Sequence, residues 1–367
     1  MKTFALALTF AASVSATKLR QSPSLLAEIQ GAHDTPTCTR TFDRIKAGNP
    51  VDVTNPTGPQ VDFWAVYDGT TKYVDESFTP EWALSWAPLY AETTYSHTFD
   101  SLYDKFGSSK TLWGSDGITP ADVRQGGLGD CWFLAAASAI AEVPHRMEKM
   151  FLNDQNELKA NGIYGVNMYT LGVPNTIIVD DLIPLRRNSD GSAGGTVFTH
   201  WGGESGARNA AWMPILEKVF AKYHGNYAHL SGGWMDAAVR SLWGSPSKSI
   251  WHDPATMTVE DLDALWLELQ GHDFANEIVT SAALSRSTGC NLVKGHAYTT
   301  LSVLELTDGT RLVKVRNPWG SEQWTCDWRD SDNVNWTAER RAEAETAHTQ
   351  ENSVNDGVFW VSFADYV

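Results

Sequence analysis

Cysteine is scarce in this chain: four in 367 residues, Cys38, Cys131, Cys290 and Cys326. That is too few for a disulfide scaffold. Positive charge is short as well, with 28 Lys and Arg against 44 Asp and Glu and a net charge of −16. Such a balance excludes the basic surface that nucleic-acid or anionic-lipid binding needs. No run approaches the ~20 apolar residues of a membrane-spanning helix, so no membrane anchor is expected. There is no internal repeat, no low-complexity tract and no EF-hand loop. What remains is the composition of an ordinary globular protein, 42% hydrophobic and 20% charged. A chain of this length can bury one large core or two medium ones. Its sixteen tryptophans suffice both to fill cores and to line a groove.

The N-terminus reads as an address. Lys2, the short apolar run Phe4 to Ala12 and the small residues Val14-Ser15-Ala16 form a signal-peptide pattern over 1–16, cut after Ala16. The expected location is therefore secreted or vesicle lumen. Residues 17–73 carry many turn formers (Asn49-Pro50, Asn55-Pro56, Gly58-Pro59) and little periodicity, which predicts an extension or propeptide without its own core. Two lobes follow, 74–232 and 233–367, with Ser231-Gly232-Gly233 at the boundary.

The most informative stretch is Gln125-Gly126-Gly127-Leu128-Gly129-Asp130-Cys131. A glycine-rich turn ends in a cysteine, and residues 131 to 143, almost all apolar or small, predict a buried helix ending near Pro144. Asp130 is expected to cap it. A cysteine at a helix N-terminus meets unpaired N–H groups and the positive end of the dipole, which favour the thiolate. Downstream, Ile163 to Thr170 and Thr176 to Val179 read as strands, and Ala211 to Tyr223 as a helix. In the second lobe a helix is expected over Val259 to Leu269, then strands over Phe274 to Thr280, His296 to Leu306 and Leu312 to Val315. Asp308-Gly309 is a hairpin turn. A turn centred there sets Asn317 opposite Thr300 and leaves His296 roughly 13 Å along the strand, a gap that a bulge or a shifted turn must close.

Acyl transfer by cysteine needs a nucleophile, an imidazole, a group that orients the ring, and donors for the oxyanion. Cys131 supplies the first. His296 and Asn317 share one end of the predicted ribbon, Trp319 is placed to shield them, and the Gln125 amide can reach toward the Cys131 backbone N–H. With Cys131 kept free, three cysteines leave one pair and one over. Cys290 with Cys326 is the expected pair, since both fall in the C-terminal third. Asn335-Trp336-Thr337 fits an N-glycosylation acceptor.

Gln125 to Ala136 resembles the cysteine block of the calpain family. Lys294-Gly295-His296-Ala297-Tyr298 resembles its histidine block, and Arg316-Asn317-Pro318-Trp319-Gly320 its asparagine block. Further matches are Val179 to Pro184, Leu216-Glu217-Lys218, Leu230 to Gly233 and Asp356 to Phe363, in the family's order over roughly 75–367. The resemblance implies an α+β, papain-like two-lobed protease core, with a helical cysteine lobe and a β-rich histidine and asparagine lobe. It is expected to be confined to the catalytic core. It implies Cys131 as nucleophile, His296 as general base and acid, Asn317 as orienter and Gln125 as oxyanion donor. It also implies Ca²⁺, with Gly117 and Asp122 as ligands in the first lobe and Asp330 and Asp356 in the second. Gln323 and Val358 stand where the family has carboxylates, which weakens the second site.

The expected function is thus a secreted calpain-like endopeptidase acting on protein or peptide substrates through a thioester, with calcium modulation. Two alternatives stay open: an inactive papain-shaped binding protein, and a transglutaminase-like acyl transferase. The sequence does not fix the oligomeric state.

Overall fold

The computed structural model describes residues 54, 60–84, 97–202, 209–253, 255–283, 289–347 and 355–367. The leader, most of 17–59 and Cys38 lie outside them. The longer helices are α1 (Cys131–Ala141), α2 (Pro144–Met150), α3 (Trp212–His224), α4 (Met235–Trp243), α5 (Val259–Phe274) and α6 (Ala338–Ala347). The strands are β1 (His97–Ser101), β2 (Ile163–Thr170), β3 (Val173–Asp180), β4 (Leu182–Arg187), β5 (Ala193–Thr196), β6 (Thr280–Ala283), β7 (His296–Glu305), β8 (Arg311–Arg316) and β9 (Val358–Ser362). The cysteine half combines α1 to α4 with a three-stranded sheet, β1-β4-β5, and the hairpin β2-β3. A four-stranded antiparallel sheet, β6-β7-β8-β9, carries the other. This is the α+β arrangement of a papain-like core.

α1 is the axis of the first lobe. Every residue from Trp132 to Ala141 is buried, which suits its run of alanines: small side chains let neighbours approach the backbone on all sides. One neighbour is β7 of the other lobe, whose Thr299 Oγ1 donates to Ala135 O at 2.9 Å. The nucleophile helix and the histidine strand therefore touch directly. Pro144 follows the end of α1 and opens α2 at its first turn, where a missing N–H costs nothing.

Packing crosses both lobe boundaries expected from the sequence. Phe63 and Tyr67 bury themselves against Leu152, Ile163 and Ile178. Asp75 forms a buried ion pair with Lys222 on α3 at 2.9 Å, and Asn161 Nδ2 donates to the carbonyls of Val66 and Tyr67. The stretch 61–73, expected to have no core, completes the first lobe's outer face. Likewise α4 lies beyond residue 232, yet Ala238, Val239 and Leu242 join the same core as α1.

Two local expectations are corrected. β3 begins at Val173, not Thr176, because the two-residue turn Leu171-Gly172 takes positive φ at both positions (52° and 80°) and pairing starts at once. The stretch 274–279 is not a strand, and β6 starts only at Thr280. α5, opened by a Thr258–Asp261 capping box, runs to Phe274 and stops where Asn276 turns left-handed at φ 52°. At the acceptor triplet, Asn335 Nδ2 donates to Asp332 Oδ2 at 2.8 Å and Trp336 is buried beside it.

Candidate active site

The hairpin β7–β8 closes the gap left by sequence reasoning. Close to the turn, Leu304 pairs with Leu312 and Ser302 with Lys314. Past an irregularity at Leu301, Thr300 pairs with Val315 and Thr299 with Arg316. The turn is shifted by one residue relative to the expected centre and the bulge adds another, so the end of β8 moves two residues toward His296. Two residues along a strand restores the same face, and diagonal neighbours are within reach of long side chains. His296 Nε2 lies 2.8 Å from Asn317 Oδ1.

The protonation pattern follows from the partners. Asn317 Oδ1 also accepts from the backbone N–H of Trp319 at 3.0 Å. A backbone N–H can only donate, so the shared atom is the amide oxygen. His296 Nε2 must then carry the proton, and in the neutral ring Nδ1 holds the lone pair. Asn317 is fully buried and His296 5% exposed. The Trp319 ring covers the imidazole with centroids 4.7 Å apart. Burial lowers the His296 pKa, partly offset by the bond to Asn317.

Cys131 begins α1, is partly exposed and has its sulfur unbonded to any other cysteine. Burial pushes its thiol pKa up. The Ala297 backbone N–H, one residue after His296, pulls the other way. Among the described residues no hydrogen bond joins thiol to imidazole, and the two shifts together favour the neutral thiol and neutral ring at rest.

The glycine turn is held by close contacts. A Cβ on Gly126 would lie 1.6 Å from Phe198 O. Gln125 N donates to Pro318 O at 2.8 Å, which ties the turn to the asparagine block. The Gln125 side chain donates one N–H to Leu128 O at 2.7 Å. Leu230 to Gly233 wraps Trp132: Leu230 O accepts from its indole at 2.8 Å, and a Cβ on Gly233 would meet the ring at 2.3 Å. Gly232 N closes the wrap on Gly129 O at 2.8 Å. From the other lobe, buried Arg316 donates to Val123 O at 2.7 Å.

Asp130 does not cap α1. Its side chain makes no capping bond, because it turns inward, fully buried, to face Glu217 on α3. Sequence reasoning missed this pair. A signal existed: Glu217, Lys218 and Lys222 sit on a helix whose other residues are nearly all apolar.

The four candidate metal ligands fare unequally. Gly117 is left-handed at φ 78°. Asp122 is fully buried, and its Oδ2 accepts from Thr119 N at 2.9 Å and from the Trp212 indole at 3.1 Å. Both bonds fall on one oxygen, Oδ2, and tie the residue into the fold. In the second lobe Asp330 is raised to about 7 by burial and by the charges of Glu322 and Asp356. Glu322, next to the Gln323 that sequence comparison singled out, thus supplies a third carboxylate. Gln323 itself bonds Ser321. These carboxylates are close enough to repel, though among the described residues no group of three or more His, Cys, Asp or Glu converges on one metal position. The nearby disulfide is the expected Cys290–Cys326, with a Cα–Cα distance of 5.2 Å.

The comparisons fall on this architecture. The family described as "Calpain family cysteine protease" matches residues 102–367. The calpain-type cysteine protease DEK1 of Arabidopsis thaliana is 33% identical over 274 residues, covering 73% of this chain and 12% of that protein. The Calpain-1 catalytic subunit of Mus musculus is 31% identical over 261 residues, covering 69% and 34%. Calpain-5 of Mus musculus is 29% identical over 318 residues, covering 76% and 48%. The chain thus spans less than half the length of each of these relatives. By the extent of that match, the chain belongs to the calpain family of cysteine proteases.

Proposed function

We propose that this chain is an endopeptidase that cuts peptide bonds through a thioester on Cys131. The observation that carries the reading is the His296–Asn317–Trp319 arrangement, which leaves Nδ1 as the free base. In this scheme Nδ1 takes the thiol proton as sulfur attacks the scissile carbonyl, then delivers it to the departing amine. Water, deprotonated by the same nitrogen, hydrolyses the thioester. The Cys131 backbone N–H and the second Gln125 N–H receive the oxyanion. Asn317 keeps the ring oriented and Trp319 keeps water from competing for the bond between them. Cleavage of an unfolded protein by wild type and by Cys131→Ala tests this; equal, background-level rates reject it.

Calcium modulation belongs to the same proposal, with Gly117 and Asp122 as candidate ligands in the first lobe and Asp330 and Asp356 in the second. In the second lobe Glu322 would join Asp330 and Asp356 once their loops draw together, since the three do not converge on one position as they stand, and the ion's charge would relieve their mutual repulsion. They sit on the loops that follow Asn317 and precede β9, so relief there would steady the asparagine arm. We also propose secretion, supported by the leader pattern and by the Cys290–Cys326 bridge, since structural disulfides persist in oxidising compartments. Finding the protein in the medium, with its N-terminus at Thr17, tests that part.

A further inference from the structure

Two buried carboxylates lie directly behind the nucleophile, and the mechanism above does not use them. Asp130 precedes Cys131, with 0% exposure, and Glu217 is 2% exposed. They contact each other side chain to side chain. The cations on α3 are committed elsewhere: Lys218 pairs with Asp180, and Lys222 with Asp75. Among the described residues, the other groups facing the pair are the Tyr227 phenol, whose pKa is raised chiefly by burial, the Thr199 hydroxyl, and Cys131 itself. None of these is a cation.

Two touching anions without a cation cannot both stay charged in a buried site, since the desolvation and repulsion penalties add. One proton must be shared, and its location follows from the donors. Glu217 accepts from Thr199 N at both oxygens, 3.1 Å each, and from the Thr199 hydroxyl. These bonds favour its charged form. Neither oxygen of Asp130 has a donor partner, which leaves it to act as the donor. We infer that Asp130 is a protonated positioning residue that donates to a charged Glu217, pinning the N-terminus of α1 to α3 while leaving the residue next to the nucleophile uncharged. An ionised Asp130 would cancel the helix dipole and repel a forming thiolate. The shared proton moves that charge one residue further away, onto α3. Burial raises both carboxyl pKa values in keeping with this.

The inference rests on Cys131 being the nucleophile, so its test reads the thiol itself and needs no peptide hydrolysis. Two measurements suffice: the pH midpoint of iodoacetamide alkylation at Cys131, followed by mass spectrometry of its peptide, and the infrared carbonyl band of a protonated carboxyl at neutral pH. In Asp130→Asn the alkylation midpoint is expected to stay within ~0.3 pH unit of wild type, because one neutral donor replaces another. A protonated-carboxyl band present in wild type should be missing from this variant, and Glu217→Gln should shift or remove the same band. A midpoint lowered by about one unit in Asp130→Asn would show that Asp130 had been ionised and would overturn the inference. If Asp130→Asn does not fold, the wild-type minus Glu217→Gln difference spectrum decides alone, since the Asp330 carboxyl cancels in it: no protonated-carboxyl band in that difference overturns the inference.

Discussion

Asn317 Oδ1 takes hydrogen bonds from both the His296 ring and the Trp319 backbone, at 2.8 and 3.0 Å. This shared acceptor fixes the imidazole tautomer and holds the covering indole in place with one atom. Asn317→Ala should lower kcat/KM by on the order of 10²-fold with little change in KM, since ring orientation matters to the proton transfers. Steady-state kinetics on a peptide substrate checks it; an unchanged kcat contradicts the assigned orientation.

The same geometry makes a pH prediction. His296 is held below its ordinary value of 6.5 by burial, so it stays neutral, and able to act as base, further into acid. The acid limb of kcat/KM should therefore have its midpoint below 6.5. Asn317→Asp places a carboxylate against the ring, stabilises imidazolium and should move that midpoint upward by about one unit or more. A wild-type limb above 6.5 would contradict the buried neutral imidazole.

Asp75 ties the N-terminal stretch to α3 through Lys222, with both side chains nearly inaccessible. Asp75→Ala leaves a buried cation without its partner and should cost about 3 kcal/mol of stability. Denaturant unfolding measures this. A loss below about 1 kcal/mol would mean that residues 61–78 are an appendage.

Gly126→Ala should be more damaging, because the added methyl would sit 1.6 Å from Phe198 O. The glycine turn must move, taking Gln125 and Cys131 with it. Reduced thermal stability and lost thiol reactivity are both expected, checked by calorimetry and alkylation.

Calcium titration separates the lobes. Ca²⁺ should raise the thermal midpoint of wild type, and Asp330→Asn should remove most of that rise. Asp122→Asn should instead lower the midpoint in calcium-free buffer, since Asp122 bonds Thr119 N and the Trp212 indole. Identical calcium responses in wild type and Asp330→Asn would reject the second-lobe assignment.

Much of this was legible in the chain. The glycine turn before Cys131, the uniformly apolar α1 and the turn at Asp308-Gly309 are local signals, and local backbone preference decides them. The distance between His296 and Asn317 was not legible, because it depends on a bulge at Leu301 that no nearby residue announces. Asp130 was read as a cap from its position, but burial against Glu217, a tertiary contact, won over capping. Residues 61–73 looked coreless because Phe63 and Tyr67 find their core in residues far along the chain. Glu322 was overlooked for the neighbouring Gln323, since positions matched one by one cannot show which side chain a loop turns toward Asp330.

The most direct measurement of the central claim is trapping of the thioester. Incubating the protein with a peptide-based acylating inhibitor should add one inhibitor mass to Cys131 in wild type. His296→Ala should slow that labelling at least 10²-fold at neutral pH, because the thiol loses its base. Labelling of Cys131 at the same rate with and without His296 would contradict a nucleophile on one lobe served by a base from the other.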